Sequence, residues 1–330
     1  MPVSVEWFST IDAVAADAAG ALDRARQPVL YDRLDWFRLT VAHLFPDATL
    51  AVLRVRDGEA AAWLFLIETG RRTAAPLARW YTLRFAPIFA GRSDAVTAAL
   101  FAALARRFDV VALHPLAAPV APAGWRSYSG HTSTNWTMDI ATSDFEAYWS
   151  ARPKPLRNTV ARRGRSHPVE IEILRRLDAD IWAAYEAIYA ASWKPEEGAM
   201  PFLRALAEQE AAAGTLRLGI ARDPAGRAVA AQYWLVENGI ATIHKLAHRE
   251  DAKAGSPGSL LSHAMFRAAI ADDRVHRIDF GLGDEPYKAD WVDTAKPVWR
   301  SDLYRPASLR GLAGIARETA SRLARRRRLD

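Results

Sequence analysis

Short runs of alternating apolar and polar residues are separated by helix-spaced stretches, and the whole arrangement occurs twice. Residues 3–8 alternate and predict an opening strand, and 11–25 is Ala-rich with helical spacing. Asp35 is placed to cap a second helix carrying Trp36, Leu39, Val41, Ala42 and Leu44, ending near Pro46. Residues 49–55 and 59–67 read as strands joined at Asp57-Gly58, a dipeptide suited to the positive φ angles of a tight hairpin. Residues 81–89 read as irregular to extended. Ser93 then caps a helix running to Arg107, 109–114 is a short apolar strand, 115–124 a Pro- and Ala-rich loop, and 135–140 a strand.

The second half repeats this order. A helix at 144–150 and a basic stretch lead to a strand at 169–174. Asp178 caps a helix to 191, and another helix covers 202–213. Strands at 216–221 and 228–236 form a hairpin over Asp223-Pro224-Ala225-Gly226, and 240–247 is a further strand. The halves align at an offset of about 168 positions, which implies a tandem duplication of one α/β unit. Gly58 then matches Gly226, and Val111-Ala112-Leu113 matches Asp279-Phe280-Gly281. Only the second copy keeps polar residues after its strand. The expected organisation is a degenerate first domain over 1–143, an active second domain over 144–306 and a basic amphipathic tail over 307–330.

The stretch 255–291 concentrates the chemistry. It opens on Gly255-Ser256-Pro257-Gly258, with Pro257 suited to the first turn of a helix whose apolar stripe is Leu260, Leu261, Met265, Phe266 and Ile270. A strand over 275–280 follows, then a polar turn with Gly281, Gly283, Asp284 and Glu285. A second short helix carries Tyr287, Lys288, Asp290 and Trp291. A Gly-rich turn at a helix N-terminus offers backbone N–H groups and a positive dipole end to a phosphate, or is an ordinary helix start.

Composition narrows the chemistry. The 330 residues are 50% hydrophobic, enough for sizeable cores, and contain no cysteine. Disulfides, thiolate nucleophiles and Cys-based metal sites are excluded. The N-terminal residues lack the layout of a signal peptide, and no apolar run reaches the length of a membrane span, so the expected location is cytoplasmic. The net charge is +6, with arginines gathered in 152–165 and 305–328. The first segment reads as a solvated face or as a patch for an anion. The tail carries Leu309, Leu312, Ile315, Ala316 and Leu323 beside Arg310, Arg317, Arg322 and Arg325 to Arg328. Such a helix suits the anionic inner membrane face, or is a frayed terminus. Aromatic–basic interleaving is lacking, which argues against nucleic acid as a partner.

The order of the SPG-x-LL helix and Asp279-Phe280-Gly281-x-Gly283-Asp284-Glu285-Pro286-Tyr287-Lys288 resembles the GNAT-type acyl-CoA N-acyltransferases. The resemblance covers roughly 145–305 and is closest to the CelD-like branch related to the FemAB peptidyltransferases. It implies tandem GNAT-like domains, each a mixed sheet flanked by helices. It also implies acyl-CoA as co-substrate, an amine acceptor and no metal. Members of this branch are associated with N-acylation of long-chain lipid amines and cell-envelope amino sugars. A FemAB-like transfer from aminoacyl-tRNA, or a non-catalytic membrane-surface module, stands as the alternative. The usual GNAT phosphate loop is not matched, because Lys253-Ala254 precede Gly255.

On this reading the backbone of Gly255, Ser256, Gly258, Ser259 and Leu260 holds the pyrophosphate. The resemblance makes Tyr287 the acid that protonates the leaving thiolate; a packed ring is the alternative. Lys288 holds substrate or an oxyanion, or is solvated. His244, with a pKa near neutral, is a candidate base or a structural histidine. On a regular strand it shares a face with His248, Thr242 and Leu246, opposite Lys245. Asp279 ends an apolar strand and is either paired or lines a pocket. Trp193-Lys194 resembles the family's SWK element, with packing of the indole as the simpler reading.

Overall fold

The opening alternation folds as β1 (Ser4–Phe8), followed by α1 (Ile11–Ala18), whose N-terminus is capped by the Thr10 hydroxyl. This helix stops well short of residue 25. Ala19 turns left-handed at φ 46° and Gly20 follows at φ 85°, so the helical run cannot continue. In α2 (Leu34–Leu44) the N-cap position falls to Arg33. Asp35 lies inside the first turn, where its carboxylate accepts from its neighbour Trp36 N at 2.8 Å. The hairpin of β2 (Leu50–Asp57) and β3 (Ala60–Gly70) closes over Gly58 at φ 59°. Two short strands, β4 (Thr73–Pro76) and β5 (Ile88–Ala90), lead to α3 (Asp94–Arg107), β6 (Val110–Leu116) and a long β7 (Arg126–Asp139).

The second series is α4 (Phe145–Ser150), α5 (Lys154–Ser166), β8 (Glu170–Leu174), α6 (Ala179–Ala190) and α7 (Met200–Ala212). It continues with β9 (Leu216–Arg222), β10 (Ala228–Glu237), β11 (Ile240–His248), α8 (Pro257–Arg267) and β12 (Arg277–Leu282), and closes with β13 (Thr294–Tyr304) and α9 (Leu309–Arg326). At the expected offset α1 falls on α6, α2 on α7, and β7 on β13. That last correspondence accounts for β13, which local periodicity does not reveal.

In this computed structural model, which describes residues 3–326, the chain forms two compact units, Met1–Ser133 with Pro297–Asp330, and Thr134–Lys296. The first unit's sheet runs β1-β2-β3-β4-β6-β13, with β5 on β3, and its parallel pair is β4 with β6. In the second unit the C-terminal part of β7 is followed by β12-β11-β10-β9-β8, and the parallel pair is β11 with β12. The closing strands are therefore exchanged. β7, from the first repeat, supplies an edge to β12, while β13, from the second, pairs with β6.

Each sheet buries an apolar core. In the first unit α3 lays Val96, Leu100, Ala103 and Leu104 on Leu53, Val55, Leu64 and Val111. In the second, α8 packs Leu261, Met265 and Phe266 against Trp234, Ile243 and Phe280, while Trp182 and Tyr185 of α6 cover the opposite face beside Tyr233. Each large side chain so buried contributes roughly 1.5–3 kcal/mol. Gly219 lets α8 approach closely, since a Cβ there would lie 2.6 Å from the Met265 sulfur. Gln232, buried beneath the same helix, donates to Ser262 at 2.6 Å and accepts from the Trp234 indole at 2.9 Å.

Candidate functional site

Strands β11 and β12 pair in parallel for three residues, ending at Thr242 opposite Asp279. Beyond that point β11 stays with β10 and β12 turns to β7, so the sheet opens between the carboxyl ends of two parallel strands. Such openings are where α/β sheets bind ligands.

A bulge sits at this opening. Ile243 pairs with Trp234 and Lys245 with Tyr233, leaving His244 as the extra residue. The bulge reverses the side-chain alternation and overturns the expected faces. Thr242 and Lys245 share the Tyr233 side, Leu246 and His248 share the Trp234 side, and the His244 ring lies 5.2 Å from that of Tyr233. His244 is not the near-neutral base the sequence suggests. Burial, and then the charge of Lys245, push its pKa down to about 3, so the imidazole is neutral and weakly basic.

On β12, Asp279 accepts from Gly281 N at 2.9 Å and from the Asn135 amide at 3.4 Å. Burial raises its pKa against those two bonds. Gly281 (φ 75°) and Gly283 (φ 136°) bend the strand end, and Gly283 is held by Thr134 O at 2.9 Å and by the Trp136 indole at 2.9 Å. The expected second helix is a single 3-10 turn, Pro286–Asp290. Tyr287 lies on it with 41% of its surface exposed and its ring edge-on to Phe280 at 5.9 Å. Burial, and then the charge of Glu285, raise its pKa, so it stays protonated. Lys288 is buried rather than solvated. Its ammonium donates to Leu282 O at 2.6 Å and pairs with Glu285 at 3.1 Å, which ties the turn to the strand end.

Two further lysines occupy the same end of the sheet. Lys245, three residues past the last parallel pair, meets Glu197 at 2.7 Å. A bridge between Ser192 and Arg249 draws the segment after α6 to the end of β11 and brings Lys194 there. Lys194 lies over the rings of Trp193 (5.7 Å) and Tyr189 (6.0 Å). Burial first, then the like charge of Lys245 and Lys288, brings its pKa down to about 8, against the pull of Glu285 and Glu197. Three ammonium groups thus face two carboxylates. Sequence reasoning passed over Lys194 as the neighbour of a packing tryptophan. Trp193 is in fact 48% exposed and lies against His248 at 4.2 Å. The signal for Lys194 was its place between an aromatic helix end and the acidic pair Glu196-Glu197.

At the start of α8, Ser256 adopts φ 53° and its carbonyl accepts from the N–H groups of Ser259 (3.0 Å) and Leu260 (3.2 Å). Pro257 has no N–H. The row of donors expected from Gly255 to Leu260 is therefore narrower than the sequence suggests, with Gly258 the residue left to present one. Both glycines sit against histidines: a Cβ on Gly255 would be 3.2 Å from that of His167, and one on Gly258 would be 3.2 Å from Nδ1 of His248. A cavity of about 400 Å³ adjoins this turn, lined by Ser166, His167, Arg227, Asp251, Gly255 and Pro257. Its Arg227 is already paired with Asp223 and Asp251. Among the described residues no group of three His, Asp or Glu side chains is arranged to hold a metal ion, and no helix is long and apolar enough to cross a membrane.

Residues 151–289 match the family model of the acetyltransferase (GNAT) domain. No curated protein matches the chain in sequence. Among solved structures, it is similar to the C-terminal DUF2156 domain of a protein from Agrobacterium fabrum described as a lysylphosphatidylglycerol synthetase. The identity is 13%, with 93% of this chain and 95% of that chain covered and a TM-score of 0.58. FemX is similar at 9% identity over 80% of this chain and 94% of that one, with a TM-score of 0.55. L-PGS from Bacillus licheniformis aligns at 11% identity over 75% and 82%, with a TM-score of 0.50. At these identities the likeness is one of fold.

Proposed function

With residues 151–289 forming a GNAT acetyltransferase domain, we propose that the second copy, residues 144–306, transfers an acyl group from acyl-CoA to an amine. The observation that carries this reading is the opening after Thr242 and Asp279, with the α8 N-terminus on one strand's exit and three lysines around it. The thioester lies along the opened edge of β11, and its pyrophosphate lies toward Gly258 and the dipole of α8. The acceptor enters from the Tyr233 face.

The acceptor arrives as an ammonium and must lose a proton. Lys194, with a pKa of about 8, takes it in its neutral form. The amine nitrogen then attacks the thioester carbonyl carbon, the C–S bond breaks with the electron pair leaving on sulfur, and the nitrogen sheds its second proton to solvent to give the amide. Tyr287 donates a hydrogen bond to that thiolate. Its raised pKa, set against about 8.5 for an ordinary thiol, makes it a hydrogen-bond donor rather than the final proton source, which is solvent. Asp279 and Lys288 fix the strand end and its turn, and His244 remains a neutral wall. The acceptor belongs among long-chain lipid amines or cell-envelope amino sugars.

Thermal shift with CoA and acyl-CoAs of several chain lengths, followed by a thiol-release assay with amines, tests the proposal. Ligand at a hundred times its dissociation constant stabilises by about 2.7 kcal/mol. No shift with any chain length, or transfer only from an aminoacyl-tRNA, overturns it.

A further inference from the structure

Helix α9 is not a frayed tail. Gly311 and Gly314 press it onto the first unit: a Cβ would come within 1.9 Å of Arg305 O at the first and 2.3 Å of the Tyr304 ring at the second. Thr319 meets the Tyr128 hydroxyl at 2.8 Å, and Arg322 lies 5.0 Å over the Tyr128 ring while donating to Ser129 O at 3.1 Å. Tyr128 and Tyr304 are both buried there. The helix is held rigidly in one rotation about its axis. Arg327 and Arg328, expected to add to its charge, lie outside the described residues.

That rotation leaves the expected apolar face divided. Gly311 and Gly314 point inward, with Ile315 partly covered, while Leu309 is 88%, Leu312 50% and Leu323 56% exposed. At about 100° per residue these leucines, with Ala316 and Ala320, fall within an arc of about 80°. Arg310 and Arg317 border that arc on one side and line a cavity of about 370 Å³ with Thr73, Tyr304, Ala313 and Gly314. Arg322 is paired with Glu318 at 3.2 Å, whereas among the described residues Arg310 and Arg317 have no carboxylate at salt-bridge distance. Arg72 and Arg305, chain neighbours of two lining residues, share the single carboxylate of Asp109 at 3.0 and 3.6 Å. Two guanidinium groups, Arg310 and Arg317, therefore line the cavity, with Asp302 and Glu318 acting on the Tyr304 that closes it.

A row of leucines beside a cavity lined by two arginines has the two parts of an interfacial lipid site. We propose that α9 docks the first unit on an anionic phospholipid surface. A headgroup phosphate enters the cavity between Arg310 and Arg317, and Leu309, Leu312 and Leu323 enter the acyl-chain boundary. A free phosphate would fill the cavity and leave the leucines exposed, whereas an anionic lipid surface presents a phosphate and a hydrocarbon phase side by side. The proposal goes beyond acyl transfer and does not depend on it.

Co-sedimentation of the full chain with phosphatidylcholine vesicles, with and without phosphatidylglycerol, tests it at low and high salt. Wild type is expected to pellet with the anionic vesicles alone, and less so at high salt. Arg310→Ala with Arg317→Ala, both at exposed positions, should weaken binding about thirtyfold. Leu312→Asp should weaken it with the arginines intact, which separates insertion from charge. Melting temperatures check that the variants stay folded. Equal pelleting with neutral vesicles, or wild-type binding by both variants, overturns the proposal. So does stabilisation by glycerol phosphate or inorganic phosphate in a protein that ignores vesicles, which would mark a soluble-phosphate site.

Discussion

The ammonium of Lys245 and the carboxylate of Glu197 meet at 2.7 Å as a largely buried pair, and their pairing leaves the neighbouring Lys194 as the surplus charge. Replacing one partner of a buried pair is costly because the other stays behind uncompensated. The surplus lysine is different, since removing it relieves a strain.

Lys194→Met should therefore stabilise the fold while slowing turnover. A lysine whose folded pKa lies near 8, below its unfolded value, binds fewer protons folded than unfolded between those two pH values. Wild-type stability accordingly rises with pH through that window, and the full penalty is present below it. Removing the amine should raise stability at neutral pH by on the order of 1–3 kcal/mol and erase that rise. Denaturant melts of both proteins at several pH values measure it. A less stable Met variant would assign Lys194 a structural role.

Turnover should rise with pH through about 8 if the neutral amine of Lys194 is the base. Lys194→Met should lower kcat by about a hundredfold to ten-thousandfold. Lys194→Arg should not rescue it, because a guanidinium does not deprotonate. Rescue by arginine would make Lys194 an anchor for an anionic group instead.

Gly258→Glu should remove the stabilisation by CoA. The new side chain brings negative charge to the start of α8, and its Cβ begins 3.2 Å from Nδ1 of His248. A thermal shift equal to wild type would move the pyrophosphate elsewhere.

Tyr287→Phe keeps the edge contact with Phe280 and removes only the hydroxyl. At a position 41% exposed, the stability change should stay within about 0.5 kcal/mol, while kcat falls and acyl-CoA affinity holds. Single-turnover and binding measurements separate the two.

His244→Gln should leave the pH–rate profile unmoved between about pH 6 and 9, because an imidazole with a pKa of about 3 does not titrate there. A shifted limb in that range would restore His244 as the base.

Much of this was legible in the chain itself. The dipeptide Asp57-Gly58, the caps at Ser93 and Asp178 and the 168-residue offset locate most elements, because local turn chemistry and periodicity decide them. What escaped depends on partners distant in sequence. The bulge that places His244 and Lys245 on one side exists only because β10 pairs out of step with β11. The burial of Lys288 comes from the loop it closes. The depressed pKa of Lys194 comes first from its burial in the folded chain and then from lysines about 50 and 90 residues away, which no local window joins.

The exchange of β7 and β13 sets a timetable for synthesis. When the ribosome has delivered the first repeat, β6 still presents a bare hydrogen-bonding edge, because the strand that covers it, from Pro297 onward, is about 160 residues downstream. At roughly 5–20 residues per second, that edge waits on the order of ten seconds. The N-terminal half is thus the first part made and among the last completed, and a nascent chain stalled midway carries an adhesive edge.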